Sequence, residues 1–219
     1  MITYEKVRQD ADLRTYIKMA DDSLAALGYT EHSFPHVMKV AEDAAYILTT
    51  LGYDEKTVEL ARIAGYMHDI GNLVNRVSHS QSGAIMAFRI LDKLGMPAED
   101  ISTVVTAIGN HDEGTGKPVS PVAAALILAD KCDVRRSRVR NSDFSTFDIH
   151  DRVNWSVKKA DMLLTTADKR LTLSLDIEHE IGTVMDYFEI FLDRMIMCRK
   201  AAEALGLEFK LVIDGHALL

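Results

Sequence analysis

The sequence predicts a mainly α chain, a helical bundle followed by a small C-terminal α+β unit. Three observations carry that prediction. Apolar residues recur at helical spacing in six successive segments before residue 140, each bounded by capping or breaking residues. Composition changes at Asn141, where Asn141 to Asp148 is polar apart from two aromatic anchors, Phe144 and Phe147. Beyond it, Leu171, Leu173, Leu175 and Ile177 alternate with Thr172, Ser174 and Asp176, the two-residue period of a half-buried strand.

The first helix is expected from Thr3, an N-cap candidate, to Gly28, with Tyr4, Val7, Ala11, Ile17, Leu24 and Leu27 broadly on one side. Pro35 opens the second, whose stripe of Val37, Val40, Ala41, Ala44, Ile47 and Leu48 ends near Gly52. Asp54 caps the third, Ser80 or His79 starts a fourth that stops at Gly95, and Pro97 begins a fifth that stops near Gly109. Ser120 and Pro121 are a cap and first-turn pair for Val122 to Ala129, with Asp130 in the later turns. In the tail, Val157 to Thr165 pairs with the alternating strand. A long helix from about His179 to Leu205 carries the stripe Ile181, Val184, Met185, Phe188, Phe191, Leu192 and Met195, and Phe209, Leu211 and Ile213 form a last strand. The tail is therefore expected as β-β-α-β, with domains at 1–140 and 141–219.

The chemistry centres on the doublet His68-Asp69. Neighbouring side chains on a regular helix point about 100° apart, so two can grip one ion only where the helix ends. Gly71 is expected to supply that ending by adopting a left-handed conformation. Further candidate ligands, His36, His79, His111 and Asp130, each lie on a different segment, as suits a bundle whose helices donate one inward ligand apiece.

The order His, His-Asp, His, His, Asp resembles the HD superfamily of metal-dependent phosphohydrolases in its two-metal form. The resemblance covers roughly residues 30 to 140. It is carried by His36-Val37-Met38-Lys39-Val40-Ala41, by Met67-His68-Asp69-Ile70-Gly71-Asn72 and by Leu126-Ile127-Leu128-Ala129-Asp130-Lys131. His79 and Asn110-His111-Asp112-Glu113-Gly114 lie between these stretches. The resemblance implies an HD-type bundle and a metal centre made of His36, His68, Asp69, His79, His111 and Asp130. In it, His36, His68, Asp69 and Asp130 hold one ion, His79, His111 and a bridging Asp69 hold the other, and a metal-bound hydroxide attacks phosphorus. His68 and Asp69 are accordingly the catalytic doublet. Members that cleave cyclic dinucleotides carry a longer His-His-Glu and Gly-Tyr-Pro segment where this chain has Asn110 to Pro118, and often lysine where it has Asn72. That departure argues against a cyclic dinucleotide. Relatives that split diadenosine tetraphosphate share the histidine order, which makes a dinucleoside polyphosphate one candidate.

Imidazole and carboxylate without thiolate suit iron, manganese, cobalt, nickel or zinc. The run Lys131, Arg135, Arg136, Arg138 and Arg140 follows the last ligand, and Lys131, Arg135 and Arg136 are the candidate phosphate clamp, the alternative being a solvated helix end. Asp112 and Glu113 sit on a glycine-containing loop, where acids more often form turns than transfer protons. His32, His150, His179 and His216 have no matching position and are assigned to surface or packing.

Net charge of −8 argues against bulk nucleic-acid or anionic-membrane binding. Two distant cysteines, Cys132 and Cys198, exclude a disulfide framework and fit a reducing compartment. The N-terminus lacks a signal-peptide pattern, and the longest apolar run is far shorter than the roughly 20 residues a membrane span needs. A cytoplasmic protein is expected, acting on a small phosphate ester or anhydride, a nucleotide or dinucleotide. The competing reading is a non-catalytic, metal-stapled sensor. The tail is expected to serve homodimerisation or to act as a substrate lid.

Overall fold

The structure is a computed structural model and describes residues 2–218. Its helices are α1 (Tyr4–Arg8), α2 (Ala11–Ala26), α3 (Phe34–Thr50), α4 (Glu55–Met67), α5 (His79–Lys93), α6 (Ala98–Gly109), α7 (Pro121–Lys131), α8 (Ile149–Ser156) and α9 (Val184–Ala204). Short 3-10 turns at Ile70–Leu73, Arg136–Arg138 and Phe144–Thr146 join some of them. The strands are β1 (Val157–Thr165), β2 (Arg170–Ile177), β3 (Glu208–Ile213) and β4 (His216–Ala217).

The expected first helix is two. Asp10 accepts a hydrogen bond from the Leu13 amide at 2.8 Å, a side-chain cap that starts α2 afresh rather than letting α1 continue. Each of the other helices expected before residue 140 is present. Asp54 caps α4 through the Thr57 amide, and Ser120 caps α7 through the Ala123 amide with Pro121 in the first turn.

α7 is the axis of the bundle. It packs against α3, α4, α6 and α9, so every residue from Val122 to Lys131 is buried, and the helix is apolar on all sides until its last turn. α3 and α4 pair alongside it, and α5 pairs with α6. The sheet has the order β1-β2-β3-β4. β1 and β2 form an antiparallel hairpin, β3 joins β2 in parallel, and α9 makes the crossover that a parallel connection requires. The expected β-β-α-β tail is thus present, preceded by α8 and extended by the two-residue β4. Leu171, Leu173, Leu175, Phe209, Leu211 and Ile213 face inward and join the same hydrophobic cluster as the bundle, through Phe191, Met195 and Ala202 of α9. Each such leucine contributes about 1.5–3 kcal/mol relative to exposure. The long tail helix starts at Val184 rather than near His179, because Thr183 and Asp186 form a reciprocal capping box there.

No helix among the described residues is long and apolar enough to cross a membrane.

Candidate metal centre

Each of the six expected ligands arrives from a break or terminal turn in the helical framework. His36 lies in the first turn of α3, His79 opens α5, Asp130 is in the last turn of α7, and His111 follows the cap of α6. His68 caps α4, and Asp69 leaves the helix with φ −97° and ψ 1°. That departure turns the two neighbours to one side, and His68 Nε2 lies 3.2 Å from Asp69 Oδ2.

The part expected of Gly71 needs correction. Gly71 lies outside the left-handed region and forms part of the 3-10 turn. Its necessity is steric: a Cβ there would sit 1.9 Å from the His79 carbonyl oxygen and 2.5 Å from the Gly83 amide nitrogen. Glycine lets α5 begin in contact with the turn, which brings His79 beside Asp69. Ser78, just before His79, takes a left-handed conformation at φ +59°, a strained setting for a side-chain-bearing residue.

The donor atoms converge in two groups that share Asp69. His36 Nε2 is 3.6 Å from Asp69 Oδ2 and 3.3 Å from Asp130 Oδ1, and His68 Nε2 is 3.6 Å from the same Asp130 oxygen. On the other side, His79 Nε2 is 3.5 Å from Asp69 Oδ1 and 3.1 Å from His111 Nε2. All six residues are buried.

The tautomers are set from behind. Nδ1 of His36 faces Asp133 Oδ2 at 2.7 Å, and Nδ1 of His68, His79 and His111 faces the carbonyl oxygens of Gly65, Arg76 and Ile108 at 2.7, 3.1 and 2.6 Å. An Nδ1–H donating to these acceptors leaves a lone pair on each Nε2, the form that binds a metal. Two lone pairs then face each other across 3.1 Å at His79 and His111. His36 Nε2 and His68 Nε2 are buried with no hydrogen-bond partner among the described residues. A buried array of unpaired acceptors is costly unless a cation fills it, so the donor set fits a metal ion.

His68 is the exception to the neutral form: burial alone would push it down, but Asp69 and Asp130 overcome it and hold the imidazole up at about 10, so without a cation its Nε2 keeps a proton that a metal ion would displace. Burial would raise Asp69 and Asp130, yet His68 pulls Asp69, and Lys131 with His36 and His68 pulls Asp130, well below the usual carboxylate range. Both carboxylates therefore stay ionised. Burial pushes His79 and His111 down, keeping them neutral.

Of the expected clamp, Lys131 lies at the centre, with Nζ 2.7 Å from Asp130 Oδ2 and 3.1 Å from Glu113 Oε2. Arg135 and Arg136 turn elsewhere: Arg135 bridges both oxygens of Asp133, and Arg136 pairs with Glu178 at 2.6 Å. Asp112 Oδ1 lies 3.9 Å from His79 Nε2. Glu113 is held by Lys131 and by Arg194 Nε at 2.8 Å, and against the opposing effect of burial these cations pull its carboxyl down to about 2. Glu113 is an anion at neutral pH and cannot act as a proton donor.

Three contributors escaped the sequence reading. Asp133, which orients His36, lies 97 residues from it and carries no motif beyond its place three residues after Asp130. Asn72 donates to Asp69 Oδ1 at 2.9 Å, and Arg76 bridges Asn72 Oδ1 and His79 Nε2 at 3.3 Å each. Arg76 lies one helical turn before His79, a spacing that could have flagged it. His32, expected at the surface or in packing, stands edge-on against His36 with ring centroids 5.6 Å apart.

Residues 34–135 match the HD domain family, and the match spans all six candidate ligands. The chain carries an HD domain over these residues. An uncharacterized protein of Methanocaldococcus jannaschii is 24% identical over 202 residues, covering 82% of this chain and 77% of the relative. Ribonuclease Y of Bacillus thuringiensis is 28% identical over 119 residues, and that similarity takes in 54% of this chain but 21% of the ribonuclease. The chain thus matches about a fifth of ribonuclease Y's length. A crystal structure of a predicted HD superfamily hydrolase from an uncultured Thermotogales bacterium aligns with a TM-score of 0.45 at 25% identity, covering 57% of this chain and 67% of that one.

Proposed function

We propose that this HD-domain protein is a phosphohydrolase in which His36, His68, Asp69 and Asp130 would hold one divalent cation and His79, His111 and the shared Asp69 would hold a second. The observation that supports this reading is the placement of Asp69, whose Oδ2 faces His36 and His68 and whose Oδ1 faces His79, at 3.2 to 3.6 Å. Ions bound there supply Lewis-acid chemistry, lowering the pKa of water and neutralising phosphate oxygens. The nitrogen and oxygen donors suit iron, manganese, cobalt, nickel or zinc.

The chain's own residues do the remaining work. Asp133 and three backbone carbonyls orient the imidazoles, so the rings are held in place before an ion would bind. Lys131, buried between Asp130 and Glu113, offsets the charge of both carboxylates beside the centre. Asp112, whose Oδ1 lies 3.9 Å from His79 Nε2, is the candidate group for exchanging a proton with a leaving alkoxide. The substrate class is a phosphate ester or anhydride, with a nucleotide the leading candidate.

The test is hydrolysis of p-nitrophenyl phosphate, bis-p-nitrophenyl phosphate and a nucleotide panel by chelator-stripped protein, with each metal added back. Activity that returns with metal and is absent from Asp69→Asn supports the reading, and the relative rates on the monoester and diester separate the two reaction types. Full-rate hydrolysis by stripped protein, or no hydrolysis under any metal, overturns it.

A further inference from the structure

A cavity of about 360 Å³ adjoins the metal centre, a size within the range of small-molecule sites. Its walls come from both halves of the chain. Arg76 arrives from the turn before α5, Arg138 from the 3-10 turn after α7, Arg194 from α9, and Asp151 and Asn154 from α8. The cavity reaches the ligands at two points: its wall residue His32 packs on His36, and its wall residue Arg76 touches His79.

The guanidiniums are set for a ligand. Arg138 is buried, and its Nε and Nη1 are fixed by the carbonyl oxygens of Glu31 and Asp133 at 2.9 and 3.0 Å. No described residue accepts a hydrogen bond from its Nη2. Arg194 is held by Glu113 and lies over the Phe191 ring at 4.7 Å. Arg76 makes no ion pair with a carboxylate among the described residues and lies 5.9 Å from the centre of the Tyr29 ring. Three guanidiniums line one small cavity; Glu113 pairs with Arg194 and Asp133 Oδ2 lies 3.7 Å from Arg138 Nη1, while Arg76 faces no carboxylate among the described residues, so an anion entering here meets donors that these pairs leave open. Asp151 and Asn154 of α8 are buried in the same lining, where Asp151 Oδ2 accepts from the Asn141 amide at 3.3 Å and the Asn154 amide donates to the His150 carbonyl at 2.9 Å, leaving Asp151 Oδ1 and Asn154 Oδ1 as acceptors. Carboxylates and amides in such a position take sugar hydroxyls, as acidic residues do with ribose in dinucleotide sites.

We propose that this cavity holds a ribose phosphate: Arg76, Arg138 and Arg194 bind the phosphate, and Asp151 and Asn154 bind the ribose hydroxyls. The proposal rests on the phosphohydrolase reading for what happens next, but the binding site stands by itself. It assigns the C-terminal unit a substrate wall through α8 and α9. Free ribose phosphates and nucleotides share this chemistry, and the test separates them.

Metal-free protein, which cannot turn over through the centre, is titrated by calorimetry with AMP, 2′-deoxy-AMP, adenosine and ribose 5-phosphate. AMP binding that exceeds adenosine binding, and that falls roughly tenfold to a hundredfold in both Arg194→Gln and Arg76→Gln, supports the proposal. Asp151→Asn should erase the preference for AMP over the deoxy compound. Equal binding of AMP and ribose 5-phosphate assigns the site to ribose phosphates generally, whereas tighter AMP binding assigns it to nucleotides. Arg76 is half-buried on the turn before α5, so Arg76→Gln keeps the test decisive if Arg194→Gln fails to fold. Undiminished AMP affinity in both arginine variants overturns the proposal, as does equal affinity for adenosine. If metal-loaded protein hydrolyses p-nitrophenyl phosphate while AMP shows no cavity-dependent binding, the cavity proposal falls and the hydrolase reading stands. Cavity-dependent AMP binding without hydrolysis of any ester upholds the cavity and removes the hydrolase reading.

Discussion

The bundle buries ionisable side chains among its apolar ones, whereas the C-terminal sheet buries apolar side chains alone. Before residue 140 the interior takes in His36, His68, Asp69, His79, His111, Asp130, Lys131, Asp133 and Arg138. In the tail, the buried polar residues Asp151, Asn154 and Ser156 all lie on α8, and β1 to β3 and α9 bury apolar side chains. Burying ionisable groups costs stability unless they pair or bind a cation, whereas burying leucines contributes it. The sheet and α9 therefore supply apolar support for a centre that is itself a poor source of stability. The two regions should respond differently to substitution.

The largest effect is expected at the centre. Asp69→Asn should lower metal-dependent turnover by roughly 10²–10³-fold or more, read from initial rates on p-nitrophenyl phosphate, with little change in the melting temperature of the metal-free protein. The sheet should show the converse. Leu173→Ala, at a fully buried position, should cost about 2–5 kcal/mol in urea unfolding and leave the metal affinity of the folded protein unchanged. A drop in metal affinity in that variant would erase the distinction between the regions.

Gly71→Ala joins the two effects. The added methyl would meet the His79 carbonyl at 1.9 Å, so the variant should lose about 1–3 kcal/mol and weaken the half of the centre that contains His79. Asp133→Asn is a positioning change: metal affinity, measured by competition with a chelating dye, should fall by roughly 10–100-fold as His36 loses its carboxylate partner.

The smallest effect lies far from the centre, at Tyr4. Burial, helped by Glu42, pushes its phenol up to about 12 from 10.0. A raised folded pKa means that its contribution is intact below pH 10 and is lost as pH climbs from 10 towards 12. Tyr4→Phe should flatten that part of an alkaline stability curve, and an unchanged slope would remove the assignment.

The sequence made much of this legible because local chemistry and fold agree over most of the chain. Asp54, Ser120 and Pro121 mark helix starts that the structure keeps, and the alternation from Leu171 to Ile177 is a strand. The doublet His68-Asp69 stands where a helix ends, as its chemistry demands. What stayed hidden depends on partners distant in sequence. The Asp10 cap that splits the first helix is a single hydrogen bond that apolar periodicity does not register. The need for Gly71 lies in the approach of α5, which no local rule contains. Arg135 and Arg136 resemble a clamp in sequence, but Asp133 and Glu178 engage them, while Arg194 reaches the neighbourhood of the centre from α9.

The most direct test of the central claim, that six dispersed donors form one two-cation centre, is the metal stoichiometry of purified protein dialysed against Mn²⁺ or Zn²⁺, compared with His36→Ala and His79→Ala. The account predicts two ions per chain in the wild type and one in each variant. A wild-type chain that retains none, or variants that retain as many as the wild type, would contradict it.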